Sequence, residues 1–239
     1  MKCTLVLLVS LFISSGVCAQ TLSAKELLEK SIAYHDRDGK LMNSDVKLSL
    51  NEPRPGGPDR VSEISFLPMK SAFLLKRTAG EDVIRMEVIE GESSFTLNGS
   101  SDLSEEETKK FRLSKERVVM MRDYYHYLWF LPMKLNDPGT NLHPEVKPYD
   151  FFGTPSLQVK VSYSPEVGTD TWYFYFDPST FAMVGYRFYK DESKNDGEYI
   201  LLEGEVQNDG FRIPKTRKWY MHQDDKYLGM DELISIERI

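Results

Sequence analysis

Val118-Val119-Met120-Met121-Arg122-Asp123-Tyr124-Tyr125-His126-Tyr127-Leu128-Trp129-Phe130 is the stretch around which the rest of the chain has to be arranged. As a helix it is apolar or aromatic on nearly every side, so it must be covered almost all round or must line an apolar cavity. Ser114 supplies an N-cap for it. Pro132 ends it, because the residue before a proline is turned out of helical conformation. Just upstream, Ser104-Glu105-Glu106-Glu107 reads as a capping box that opens a shorter helix reaching Phe111, its three carboxylates favourable to the helix dipole.

On both sides of these helices the period changes to two. From Asp45 to Asn98 the pairs and triplets Val46/Leu48/Leu50, Ile64/Phe66, Phe73/Leu75, Ile84/Met86/Val88 and Phe95/Leu97 alternate with polar residues, as in a sheet with one wet face. Glu52-Pro53-Arg54-Pro55-Gly56-Gly57-Pro58 reads as a hairpin loop within this block. Downstream, Leu157/Val159/Val161/Tyr163, Trp172/Phe174/Phe176, Val184/Tyr186/Phe188, Ile200/Leu202/Val206, Ile213 to Met221 and Leu233 to Ile239 predict six more strands. Asp177-Pro178, Asn195-Asp196-Gly197 and Asn208-Asp209-Gly210 mark turns between them. Asn136 to Pro155, with Pro138, Pro144, Pro148 and Pro155, reads as irregular. A first helix, Ser23 to Asp36, carries Leu27, Leu28, Ile32 and Ala33 near 3.6 spacing behind a Ser23/Glu26 capping box. The expectation is an α+β, mostly antiparallel fold. About eleven strands form one curved half-barrel with about three helices packed in its concave side, a single domain over residues 20–239.

Composition narrows the function. The 239 residues carry 30 Lys+Arg against 37 Asp+Glu, a net charge of -7, which is the wrong sign for a nucleic-acid partner. With 41% hydrophobic and 28% charged residues, the chain fits neither a disordered nor a membrane-spanning class. Residues 1–19 read as a signal peptide: Lys2, an apolar run from Leu5 to Ile13, and Val17-Cys18-Ala19 as a small-residue cleavage site, cut after Ala19 or Gln20. That apolar run is too short to span a bilayer. Val17 ahead of Cys18 departs from the Gly, Ala or Ser that a lipid-anchored cysteine requires. The mature protein is therefore expected to be periplasmic or secreted, free of cysteine and of any transmembrane segment.

Signatures of catalysis are sparse. Gly91-Glu92-Ser93-Ser94 lacks the closing glycine of a nucleophile elbow, and there is no G-x-G-x-x-G or P-loop. His35, His126, His143 and His222 fall at no zinc-ligand spacing, so neither a metal nor a cofactor is expected. Asp36-Arg37-Asp38-Gly39 reads as a helix-ending turn rather than a calcium loop. His35 and Asp36, adjacent on a helix, point about 100° apart and do not pair naturally.

Several segments together resemble a family of exported proteins of unknown function from Bacteroidota: Tyr34-His35-Asp36, Tyr124-Tyr125-His126-Tyr127-Leu128 with Leu131-Pro132-Met133-Lys134-Leu135, Asp137-Pro138-Gly139-Thr140, Trp172 to Pro178, Glu198-Tyr199-Ile200-Leu201-Leu202 and Lys226-Tyr227-Leu228-Gly229. That family is distantly similar to the outer-membrane lipoprotein carriers LolA and LolB. The resemblance implies an unclosed antiparallel barrel with helices as a lid over a hydrophobic cavity. The carriers' cavity-gating arginine has no matched position here.

The expected function is a non-catalytic binding protein for a lipid, acyl chain or similar apolar ligand. Its candidate cavity wall is Met120, Tyr124, Leu128, Trp172, Phe174, Phe176 and Tyr186. One alternative is an envelope protein–protein interaction module with Tyr173 and Tyr175 as exposed anchors. Another is a hydrolase-type enzyme using His35 or His126.

Overall fold

A computed structural model describes residues 22–239, so the signal-peptide reading, its cleavage site and Cys18 lie outside the described residues. The apolar alternation builds five strands ahead of the central helices: β1 (Val46–Glu52), β2 (Arg60–Leu67), β3 (Ala72–Ala79), β4 (Asp82–Ile89) and β5 (Glu92–Leu97). Seven follow: β6 (Thr140–Phe151), β7 (Thr154–Tyr163), β8 (Thr171–Phe176), β9 (Met183–Tyr189), β10 (Glu198–Asn208), β11 (Phe211–Met221) and β12 (Tyr227–Arg238). The helices are α1 (Ala24–His35), α2 (Glu105–Phe111) and α3 (Lys115–Trp129). Ser23 with Glu26 and Ser104 with Glu107 each form a complete capping box, and Ser114 caps α3 by accepting from the Arg117 amide.

All twelve strands form one antiparallel sheet in the order β5-β4-β3-β2-β1-β12-β11-β10-β9-β8-β7-β6. It is a meander interrupted once, where β12 returns to pair with β1 and so joins the first and last strands mid-sheet. The edge strands β5 and β6 are consecutive in sequence yet lie at opposite ends, and the sheet does not close. α2 and α3 connect them in sequence. Two residues of α3 show how strongly the sheet wraps. Tyr125 hydrogen-bonds Arg77 on β3 while Tyr127 hydrogen-bonds Tyr163 on β7, eight strand positions away. Laid flat, eight strand spacings would span roughly 38 Å, far beyond the reach of two side chains one half-turn apart. The sheet therefore curls around α3.

Two apolar clusters fill the interior, and α3 contributes to both. Val118, Met121, Tyr125 and Trp129 pack with β1–β4, while Leu128 packs with α1 and with Val159, Phe174, Tyr186 and Ile200 of β7–β10. Arg217 ties down the C-terminal end of α3. Its guanidinium lies over the Trp129 ring at 3.7 Å from the centroid and donates to the Leu128 carbonyl at 3.2 Å. A cation there satisfies one of the carbonyls a helix end leaves unpaired.

One expectation is corrected. The sheet has twelve strands because the proline-bearing segment 140–151 is the strand β6. Proline is tolerated there because β6 is an edge, and Pro144 falls in the irregularity between Leu142 and Val146. Of the two courses open to α3, cover on nearly every side or a place on a cavity wall, it takes the second. A stripe of Val118, Met121, Tyr125, Leu128 and Trp129 is buried, while Met120 and Tyr124 on another face remain 45% and 41% exposed.

Candidate functional site

The open face of α3 and the sheet opposite it enclose a cavity of about 580 Å³. α3 supplies Tyr124, Tyr127 and Leu128; the sheet supplies Trp172 from β8, Phe188 from β9, Glu198 from β10, Trp219 from β11 and Leu228 from β12. Strand register places these residues together. Trp172 stands opposite Phe188, and Phe188 opposite Glu198, so one row across three strands forms part of the wall. The row beneath it, Val159-Phe174-Tyr186-Ile200-Trp219, runs through the core. Aromatic contacts close the wall: Trp172 lies 4.8 Å from Phe188 and 5.7 Å from Tyr127, centroid to centroid, and Tyr124 stacks toward Trp219 at 6.4 Å. A second cavity of about 600 Å³ adjoins the first across Tyr127, Trp172 and Asp170, with Tyr163, His126 and Lys134 on its far side.

Of the candidate wall residues, Tyr124, Leu128 and Trp172 line the first cavity. Phe174, Phe176 and Tyr186 are fully buried, on the same side of the sheet but one layer deeper, where they support the wall instead of facing a ligand. Met120 is a turn away and lies against Arg117, 3.4 Å from its guanidinium. Tyr124 lines the cavity, and desolvation raises its hydroxyl well above the ordinary tyrosine range.

The proposed exposed anchors do not both stand free. Tyr175 is buried, stacked on Phe151 at 3.9 Å under the turn that links β6 and β7, and its hydroxyl accepts from Gln158. Tyr173 is half-buried and donates to Glu192. The histidines are dispersed. His35 is buried with both ring nitrogens engaged: Nδ1 meets the Arg212 carbonyl at 2.6 Å and Nε2 accepts from the Met183 amide at 2.9 Å. That pairing selects the neutral tautomer with its proton on Nδ1. Asp36 turns the other way and accepts from the amides of Lys40 and Leu41, closing the helix-ending turn. His126 packs between Phe66 and Phe130 with no hydrogen bond or ion pair among the described residues, and burial pushes its pKa down to about 4.

The first cavity also has a charged end. Arg54 and Arg60, at the two ends of the β1–β2 loop, line it beside a buried polar cluster. At its centre Glu52, 1% exposed, accepts from Ser62 and from the Tyr125 hydroxyl. Guanidinium nitrogens of Arg54, Arg60 and Arg77 lie 3.8, 3.9 and 3.7 Å from its carboxylate oxygens. Arg54 pairs in addition with Asp231, whose other oxygen accepts from the Trp219 indole at 2.8 Å. The loop approaches closely because position 229 is glycine: a Cβ there would sit 2.7 Å from Arg54 Cδ. Sequence reasoning missed this cluster. Its signal was a charge ending an otherwise apolar face, Glu52 after Val46, Leu48 and Leu50 and Arg77 after Phe73 and Leu75.

A family of unknown function (DUF6503) matches residues 2–236. The chain belongs to that family. No curated protein matches it in sequence. Among solved structures, a LolA superfamily protein from Nitrosomonas europaea superposes on this family member with a TM-score of 0.51 at 9% identity, over 91% of this chain and 94% of the other. A DUF1329 family protein from Desulfovibrio piger gives 0.50 at 8% identity, over 90% and 92%. At such identities the likeness is one of fold. The family member described here has the mostly antiparallel sheet that its strand pattern leads one to expect, open and LolA-like as the resemblance implies.

Proposed function

We propose that the protein is an exported binding protein that holds a lipid, acyl chain or similar apolar ligand between α3 and the curled sheet. The observation that carries this reading is the wall of Tyr124, Tyr127, Leu128, Trp172, Phe188 and Trp219, drawn from α3 and three strands. A core would close such a surface; here the rings bound about 580 Å³, within the roughly 300–1,000 Å³ that small-molecule sites occupy. The Trp219 indole N–H is satisfied by Asp231, so its ring face is available for apolar contact. Among the described residues no helix is long and apolar enough to cross a membrane. Binding rather than catalysis accounts for the histidines, since His35 is committed to backbone groups and His126 to aromatic packing.

Native mass spectrometry of protein purified from an expressing envelope, with solvent extraction of the same sample, tests the reading. The expected result is a co-purifying apolar mass. An apolar dye should also bind with micromolar affinity, weakened about tenfold by Trp172→Ala. Folded protein that stays at its bare mass after exposure to membrane extract, and that binds no dye, would overturn it.

A further inference from the structure

Resting on the reading above, we propose that the ligand is an anionic amphiphile, its carboxylate or phosphate head received by Arg60 with Arg54 at the basic end of the cavity and its tail along the aromatic wall. The argument starts from an imbalance of charge. Arg54, Arg60 and Arg77 converge on Glu52, and Asp231 is matched by Arg54, so three guanidiniums share two carboxylates. Arg54 and Arg77 have good partners. Arg54 donates to Asp231 and to the Met230 carbonyl, and Arg77 to Tyr125 and Ser62. Burial weakens both charges, yet these neighbours outweigh it and hold both above the ordinary arginine value.

Arg60 is the one left over. Its Nε is buried without a hydrogen-bond partner, and its nearest carboxylate oxygen, on Glu52, stands 3.9 Å away. Burial and then the Arg77 charge act against its protonated form. A buried donor left unmade costs stability, and a planar guanidinium is built to meet a carboxylate or phosphate bidentately. Its side chain is 29% exposed and lines the cavity, so an incoming anion can reach it. The acidic residues of the same cavity, Glu198 and Asp170, come from β10 and from the segment before β8, while both arginines come from the β1–β2 loop. Burial raises both acids above their usual range, so that side of the cavity already disfavours negative charge. The cavity thus distinguishes a head end from a tail end.

Displacement of a bound apolar dye by oleate, by oleyl alcohol and by inorganic phosphate, on the purified protein and on Arg60→Gln, decides the matter. Oleate should displace the dye about tenfold more effectively than oleyl alcohol, and Arg60→Gln should reduce oleate to the level of the alcohol while leaving the alcohol unchanged. The variant should melt no lower than the parent, because it removes a guanidinium whose Nε has no hydrogen-bond partner and whose ion pair to Glu52 is long, from beside two like charges. Equal displacement by oleate and alcohol in both proteins would overturn the head-group assignment and leave the apolar cavity standing. Phosphate as effective as oleate would overturn the amphiphile. A lower melting temperature with both C18 probes weakened alike would make Arg60 structural and overturn the proposal. A folded protein that binds neither dye nor C18 probe would remove the cavity reading itself.

Discussion

His35 and His126 are both neutral at physiological pH, for one reason expressed in two ways. Around His35, burial disfavours the imidazolium, and the Met183 amide needs the Nε2 lone pair that a second proton would occupy. Around His126, burial dominates, Lys134 opposes a second positive charge, and Asp137 and Asp123 only partly compensate. His222, stacked on Tyr189 at 4.3 Å, is likewise pushed down to about 4, by burial and then Arg187. The unfolded chain takes up these protons as pH falls through about 6.5, whereas in the folded protein His126 and His222 resist until about pH 4 and His35 is likewise held below its ordinary value. In that window the unfolded state holds more protons, so stability is full above pH 6.5 and is lost on acidification. Thermal melts should drop by several degrees between pH 7 and pH 5, and His126→Phe, matched to its neighbours Phe66 and Phe130, should flatten the slope. An unchanged slope in that variant would contradict the assignment. Residue roles of this kind were only partly legible. That His35 and Asp36 do not pair follows from helical geometry, but the backbone groups of Arg212 and Met183 that hold His35 are well over a hundred residues away.

At the scale of elements, what the sequence states locally is what it states best. The Ser23, Ser104 and Ser114 caps and the period-two strands depend on neighbours within a few residues. β6 was hidden because Pro144 and Pro148 count against a central strand, and nothing local says that a segment is an edge. Exposed Glu145 and Lys147 beside those prolines keep that edge from recruiting another strand. The β6–β7 hairpin in turn covers the outer face of β8 and β9. Phe151 lies over Gly185, where an added Cβ would meet the ring at 2.1 Å, and stacks on Tyr175. Gly185→Ala must push that ring off its seat, with an expected loss of about 1–3 kcal/mol in urea unfolding and a newly accessible Tyr175. A variant as stable as the parent would show that the hairpin adjusts freely.

For the molecule as a whole, α3 is the shared wall of two cores, with Tyr125 and Trp129 in one and Leu128 in the other. β12 pairs with β1, so neither half of the sheet can leave without breaking the ladder that joins the first and last strands. Unfolding should therefore be one cooperative transition, with far-UV circular dichroism and tryptophan fluorescence of Trp129, Trp172 and Trp219 coincident in urea. Two separated transitions would mean that the β1–β5 and β6–β12 halves fold independently.

By itself the sequence determined every strand but β6, the three helices, their amphipathic faces, the antiparallel class and an apolar surplus on α3, because periodicity and capping are local and repeat every two or 3.6 residues. It also singled out Tyr124, Leu128 and Trp172. The tertiary structure alone decided that Phe174, Phe176 and Tyr186 lie one layer below them, since depth depends on how far the sheet curls. Curl is set by strand order and by what α3 reaches on each side, and no single strand encodes it. The gathering of Arg54, Arg60 and Arg77 around Glu52 is of the same kind. Glu52 ends β1, Arg60 opens β2, Arg54 lies in the loop between them and Arg77 sits within β3, and only the pairing of β1 with β2 and of β2 with β3 brings the three guanidiniums within 4 Å of the Glu52 carboxylate.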